Sequence, residues 1–246
     1  MTRAKTLAGT LDAIGAGQFL RPVVRCLREQ RECLGRVPWQ ISQGRRIKEY
    51  LDENECRKLH LGASDMILPG WLNTDLFPHS RETVFMDATR PFPLPALSID
   101  YAYCEHFIEH ISLEGAASCF AEVHRCLRRG GVFRVATPDL QQYVGLFSGR
   151  LGPEQERFLQ SFGEFFKLER VSPCQALNHI AYNWGHRFLY TRAELFDGLR
   201  RAGFSEIVAK EVGESDHDAL RSIEQHGKFF GDDMNRFETM VLEASK

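Results

Sequence analysis

From residue 58 onward, short apolar runs alternate with turn-forming clusters, the pattern of strands in a layered α/β domain. Residues 58–62 (KLHLG), 71–76 (WLNTDL), 84–87 (VFMD) and 99–104 (IDYAYC) read as four successive strands. A helical periodicity runs from about Leu113 to Arg128, and RRGG (128–131) predicts the end of that helix and a turn. VFRVATP (132–138) is apolar enough for a buried fifth strand. Thr191, with Glu194 three residues on, predicts a capped helix to Arg201 that Gly203 stops. Residues 205–212 and 237–244 supply the last two strands. The acidic, turn-rich stretch between them suits an antiparallel pair at one sheet edge. Strands alternating with helices predict a doubly wound, Rossmann-like α/β sheet of seven strands, mostly parallel with the last strand antiparallel.

Two stretches break this rhythm. Residues 1–55 lean basic and read as an N-terminal helical segment, with Phe19, Val23, Val24, Cys26 and Leu27 at helical spacing. The domain proper then covers 56–246. Within it, residues 140–187 form an insertion rich in Phe (Phe147, Phe158, Phe162, Phe165, Phe166) that closes on NHIAYNWGH (178–186). Aromatic residues at helical spacing predict an ordinary packed core. Their position after the fifth strand equally places a cap over the carboxyl edge of the sheet, where ligands of such folds bind.

Composition narrows the function. In 246 residues, 31 Lys+Arg against 33 Asp+Glu leave a net charge of −2, which gives no basic field for nucleic acid. Seven scattered cysteines without a CxxC pair predict reduced thiols and a cytoplasmic setting. No apolar run approaches ~18 residues, so no membrane partner is expected. Asp12 interrupts the first apolar stretch, against a cleaved signal peptide.

The strand ends carry the candidate chemistry. Gly62, turning into a predicted helix, suits a carboxylate or other anionic ligand. Asp75, ending the second strand, is placed to accept both hydroxyls of a ribose, and Asp87, ending the third, to accept from a base amine. Glycine and acidic groups at three successive strand ends form one constellation, that of a nucleoside-containing cofactor.

LHLGASDMILPGWLNTDL (59–76), DATRPFPLPALSIDYAYCEHFIEHI (87–111) and EVHRCLRRGGVFRVATPD (122–139) resemble, in order and spacing, the motifs of class I S-adenosylmethionine (SAM)-dependent methyltransferases of the small type 11 group. HRFLYT (186–191), RAGF (201–204) and ETMVLEASK (238–246) extend the resemblance to roughly residues 56–246. The resemblance implies SAM as cofactor. Gly62, Ala63 and Ser64 would hold its methionine end, Asp75 the ribose, and Asp87 with Ala88 the adenine. Cys104, Glu105 and His106 would lie beside the methyl group. Ser64 departs from the family loop, which has a second glycine there; a positive φ at that position costs a serine roughly 1–2 kcal/mol.

The activity implied is methyl transfer to a small-molecule acceptor, with O-methylation of a sugar or other hydroxylated metabolite preferred. His110 and His186 are the candidate catalytic bases, with His106 and His179 nearby in sequence. A methyltransferase-fold binding protein without turnover is the alternative. HFIEH (106–110) also spells the H-x-x-E-H signature of inverted zinc hydrolases, which would use His106, Glu109 and His110. That signature belongs inside a long helix, here it abuts a strand, and no third ligand is evident, so no metal is expected.

Overall fold

The computed structural model describes residues 39–246, of which 44–246 form one compact unit. The helix expected around residues 19–27 lies outside the described residues. Helix α1 covers residues 39–53 and gives Ile47 and Leu51 to the main core.

Seven strands make one sheet: β1 (Lys58–Leu61), β2 (Leu72–Asp75), β3 (Thr83–Phe85), β4 (Ile99–Glu105), β5 (Leu127–Pro138), β6 (Glu206–Lys210) and β7 (Thr239–Ser245). Their order is β3-β2-β1-β4-β5-β7-β6, parallel from β3 through β5, with β7 antiparallel to both its neighbours. The order reverses between β1 and β4, which opens a crevice at their carboxyl ends. The central strands are apolar runs because both faces are covered: Leu59, Leu61, Ala102, Phe133 and Val135 are fully buried. Helix α2 (Leu113–Cys126) starts on Ser112, whose side chain accepts from the Gly115 N–H, and buries Ala116, Cys119, Phe120 and Val123.

Two local expectations are corrected. No helix follows Gly62. Residues 62–71 join β1 to the parallel β2 through turns alone, a short path for a parallel crossover. Pro69 and Gly70 interrupt it, and buried Asn73 ties it down, accepting from the Leu68 N–H at 2.9 Å and donating to the carbonyls of Leu68 and Trp71 at 3.0 and 3.1 Å. Residues 128–131 do not end the helix; they are an excursion inside β5. Pairing with β4 jumps from Ile99↔Leu127 to Tyr101↔Val132, and Gly130 takes φ +75° so that its N–H reaches the Lys246 carbonyl at 2.9 Å.

The insertion folds as α3 (Leu140–Gly145), α4 (Pro153–Phe166) and α5 (Pro173–Tyr182). After α6 (Arg192–Arg201), capped by Thr191 as expected, and β6, the chain crosses back over the crevice through α7 (Gly227–Phe230) and α8 (Asp232–Glu238). Tyr143, Phe158, Phe162, Ile180, Met234 and Phe237 form a second hydrophobic core, separate from the sheet's. Phe158 and Phe162 are buried in this second core and not against the sheet, while Phe147 stays exposed. Among the described residues no helix is long and apolar enough to cross a membrane.

Candidate active site

Two adjoining cavities, of about 350 and 520 Å³, lie at the carboxyl ends of the parallel strands and share Gly62, Asp75, Leu76, Phe107, His110 and Ile111. The smaller is walled by Met86, Asp87, Ala88, Thr89 and the start of α2. Gly62 is required twice over at their junction. Its φ is +66°, and a Cβ there would stand 2.4 Å from the Phe107 ring.

Asp75 is held by the loop that Gly62 opens. Its Oδ2 accepts from the Ser64 N–H at 2.9 Å and its Oδ1 from the Phe77 N–H at 2.7 Å, which leaves each oxygen further acceptor capacity. Ser64 takes φ +44°, the left-handed conformation in which a glycine would be unstrained. The Ala63 N–H is spent on the Thr74 carbonyl at 3.0 Å. With no helix after Gly62, the expected helix N-terminus is not there to meet an anion. Asp87 accepts from the Thr89 N–H at 3.0 Å and hydroxyl at 2.6 Å through Oδ1, and its Oδ2 lies 3.8 Å from Arg90.

The larger cavity is bounded by the insertion and the crossing segment. Glu105, His106, His110, His179 and His186 line it, with Tyr143, Phe162, Phe166 and Trp184 from the insertion and His226, Phe230, Met234 and Glu238 from the crossing segment. Glu105 is committed to that segment: its carboxylate accepts from the Gln225 N–H at 2.9 Å and the His226 N–H at 3.0 Å. His106, at φ +44°, stacks on His226 at 3.6 Å and bonds Thr239 Oγ1 at 3.0 Å through Nε2. Burial alone would lower the His106 pKa, but the carboxylates of Glu109, Glu238 and Glu105 outweigh it and raise it. Glu238 is likewise buried, yet His226, His106 and the Tyr143 hydroxyl hold it below the usual carboxylate range. Burial pulls the His110 pKa below its ordinary value, with Glu109 opposing.

Of the predicted site residues, Gly62, Ser64, Asp75, Asp87, Ala88, Glu105, His106, His110 and His186 face these cavities. Two do not. Ala63 is fully buried behind the loop, and Cys104 points into the main core, where burial pushes its thiol pKa well up. The hydrolase geometry is also absent. Ile108–His110 is a single 3-10 turn, so His106 and His110 are not stacked on one helical face. His226 and Tyr143 carry no spacing or motif that marks them, and Glu238 opens the ETMVLEASK run without any sign there of a site role.

Residues 73–135 match the methyltransferase domain family. Among solved structures, the chain is similar to a SAM-dependent methyltransferase from Archaeoglobus fulgidus (14% identity, 82% of this chain and 92% of that chain, TM-score 0.47). It is similar also to one from Mesorhizobium loti (17%, 77% and 90%, TM-score 0.44) and to phosphoethanolamine N-methyltransferase 2 of Haemonchus contortus in complex with SAM (13%, 83% and 52%, TM-score 0.40). No curated protein sequence matches. The match over residues 73–135, together with the strand order, supports a SAM-dependent methyltransferase on a Rossmann-like sheet.

The residues present fit a nucleoside cofactor: Asp75 and Asp87 keep acceptor capacity on the smaller cavity, and at Gly62, where the two cavities join, a Cβ would meet the Phe107 ring. Asp75→Ala is expected to weaken SAM binding by about 1.5–3 kcal/mol, the scale of a lost charge-assisted hydrogen bond. Calorimetry giving equal affinities would remove Asp75 from the ribose site.

Proposed function

We propose that the chain methylates a hydroxyl of a small molecule that also carries an apolar face, a sugar ring or another hydroxylated metabolite. The observation that carries this reading is the division of the larger cavity. Phe162, Phe166, Trp184 and Phe230 form an aromatic wall, while His110 and His186 meet at the end next to the nucleoside side, their rings T-shaped at 4.7 Å. Aromatic faces hold the apolar face of a ring, and the histidines face its hydroxyl.

When bound, SAM supplies an electrophilic methyl on a sulfonium. The protein's part is to hold the acceptor oxygen in line with it, exclude water and relieve the oxygen of its proton. Residues 140–187, with the crossing segment, form the wall that excludes water. A panel of sugars, phenols and amines, read by formation of the demethylated cofactor and by mass spectrometry of the product, tests the reading. Transfer to hydroxyl acceptors is expected, and transfer to nitrogen alone would overturn it. With such an acceptor, Phe166→Ala is expected to raise KM roughly 2–12-fold, the scale of one aromatic contact, while SAM affinity is unchanged. Equal KM values would take Phe166 out of the acceptor wall.

A further inference from the structure

The HFIEH segment divides between two clusters of potential ligands. His106 joins His226 and Glu238, whereas Glu109 and His110 join His186. The first cluster does not suit a metal. Its two imidazoles are stacked nearly parallel at 3.6 Å and 13°, so their in-plane lone pairs run side by side and do not converge. Its polar atoms are also occupied. His106 lies on Thr239 and Glu109, and His226 Nε2 is 3.2 Å from Glu238.

The second cluster is built differently. Glu109, His110 and His186 each offer a ligand atom, all within 4.8 Å of one another, and the two imidazole rings are inclined at 72°. Coordination draws such atoms to about 3 Å apart, a change within reach of side-chain torsions. Two of the three groups are oriented from behind. The Thr137 hydroxyl donates to Glu109 Oε2 at 3.0 Å, and the Ile180 carbonyl accepts from His186 Nδ1 at 2.6 Å. Support of this kind fixes the tautomer and direction of metal-binding side chains. Glu109 is fully buried, and its Oε1 makes no properly directed hydrogen bond, its neighbour being His106 Nδ1 at 3.3 Å.

We propose that Glu109, His110 and His186 bind a first-row divalent cation, which takes the acceptor's hydroxyl oxygen as a further ligand. The inference rests on the hydroxyl-methyltransferase reading and says how the histidine pair acts. Two imidazoles and a carboxylate leave coordination positions open. A hydroxyl bound there is more acidic than in water. Its proton leaves to solvent, its oxygen pair forms the new O–C bond, and the C–S bond breaks with both electrons passing to sulfur. An alcohol and a sulfonium become an ether, a thioether and one proton.

The test is titration of chelator-stripped protein with Mn²⁺, Co²⁺ and Zn²⁺ by calorimetry, with the absorption spectrum of the Co²⁺ form. One equivalent is expected in the unmodified chain. Glu109→Gln and His186→Ala should weaken binding about 100-fold or more, and Thr137→Val, which removes only outer support, about tenfold. His226→Ala should bind as the unmodified chain does, and circular dichroism establishes that each variant folds. No saturable equivalent, full affinity in Glu109→Gln and His186→Ala, or loss confined to His226→Ala would each overturn the site. Binding needs no acceptor, so the two readings separate. A bound cation with methylation of nitrogen alone keeps the site and retires the hydroxyl reading. Hydroxyl methylation undiminished in chelator, with no cation bound, does the reverse.

Discussion

His186→Ala is expected to lower methyl transfer ~10²–10⁴-fold while leaving SAM affinity within about twofold. The first figure is the usual scale for losing a group that lets a nucleophile shed its proton, directly as a base or as a ligand of the cation that acidifies it. The second follows from position: His186 lines the acceptor cavity but not the one shared by Asp87 and Ala88. The ring is also held for the task. With the Ile180 carbonyl accepting from Nδ1–H at 2.6 Å, Nε2 is left with a free lone pair directed away from that carbonyl. A split between turnover and cofactor binding separates this role from a structural one, since a collapsed cavity would lower both. Single-turnover measurement of cofactor demethylation with a hydroxyl acceptor decides it. Unchanged turnover would take His186 out of the reaction.

The parts of this molecule legible in the sequence are those written as local pattern. The buried parallel strands leave apolar runs, and the Thr191 cap with Gly203 past the helix end bounds α6 within a residue. Gly62, Asp75 and Asp87 stand at or just past strand ends, and because strand ends converge on one edge the sequence pattern already groups them on one cavity. What a pattern along the chain does not carry is which face a residue takes. Cys104 sits one position before Glu105, yet alternation sends it into the core. A helix is expected after Gly62, whereas Asn73 and Pro69 fold that segment as turns. The far wall of the acceptor cavity was invisible for a different reason. His226 lies in a stretch with no periodicity, and Glu238, expected in the last strand, instead ends α8; contacts distant in sequence place both. Glu105 holds the backbone of His226 across 121 residues, and the pairing of β7 with β5 sets Thr239, next to Glu238, opposite Pro138.

Arg134→Met is expected to destabilise the domain by about 3–5 kcal/mol, the cost of removing one partner from a buried ion network. Arg134 is fully buried on β5. Its Nε lies 2.5 Å from Glu224 and its Nη1 2.7 Å from Glu243 on β7, and Nη1 and Nη2 also donate to the carbonyls of Glu214 and Glu211 at 2.8 and 3.3 Å. Methionine fills much of the volume but leaves two carboxylates without a cation in a site that water does not reach. For a domain of about 200 residues the loss corresponds to a fall of roughly 6–20 °C in Tm. The network also reaches the site. It pins residues 211–224, immediately before the Gln225 and His226 amides that Glu105 binds, so the acceptor wall should loosen with it. Thermal unfolding of Arg134→Met beside the triple variant Arg134→Met/Glu224→Leu/Glu243→Leu separates charge from packing. If unpaired charge is the cause, the triple variant recovers most of the loss, because an apolar cluster of similar volume needs no cation. A triple variant as unstable as the single one would assign the effect to packing around the guanidinium, and an Arg134→Met variant within about 1 kcal/mol of the unmodified chain would show that the network does not hold the fold.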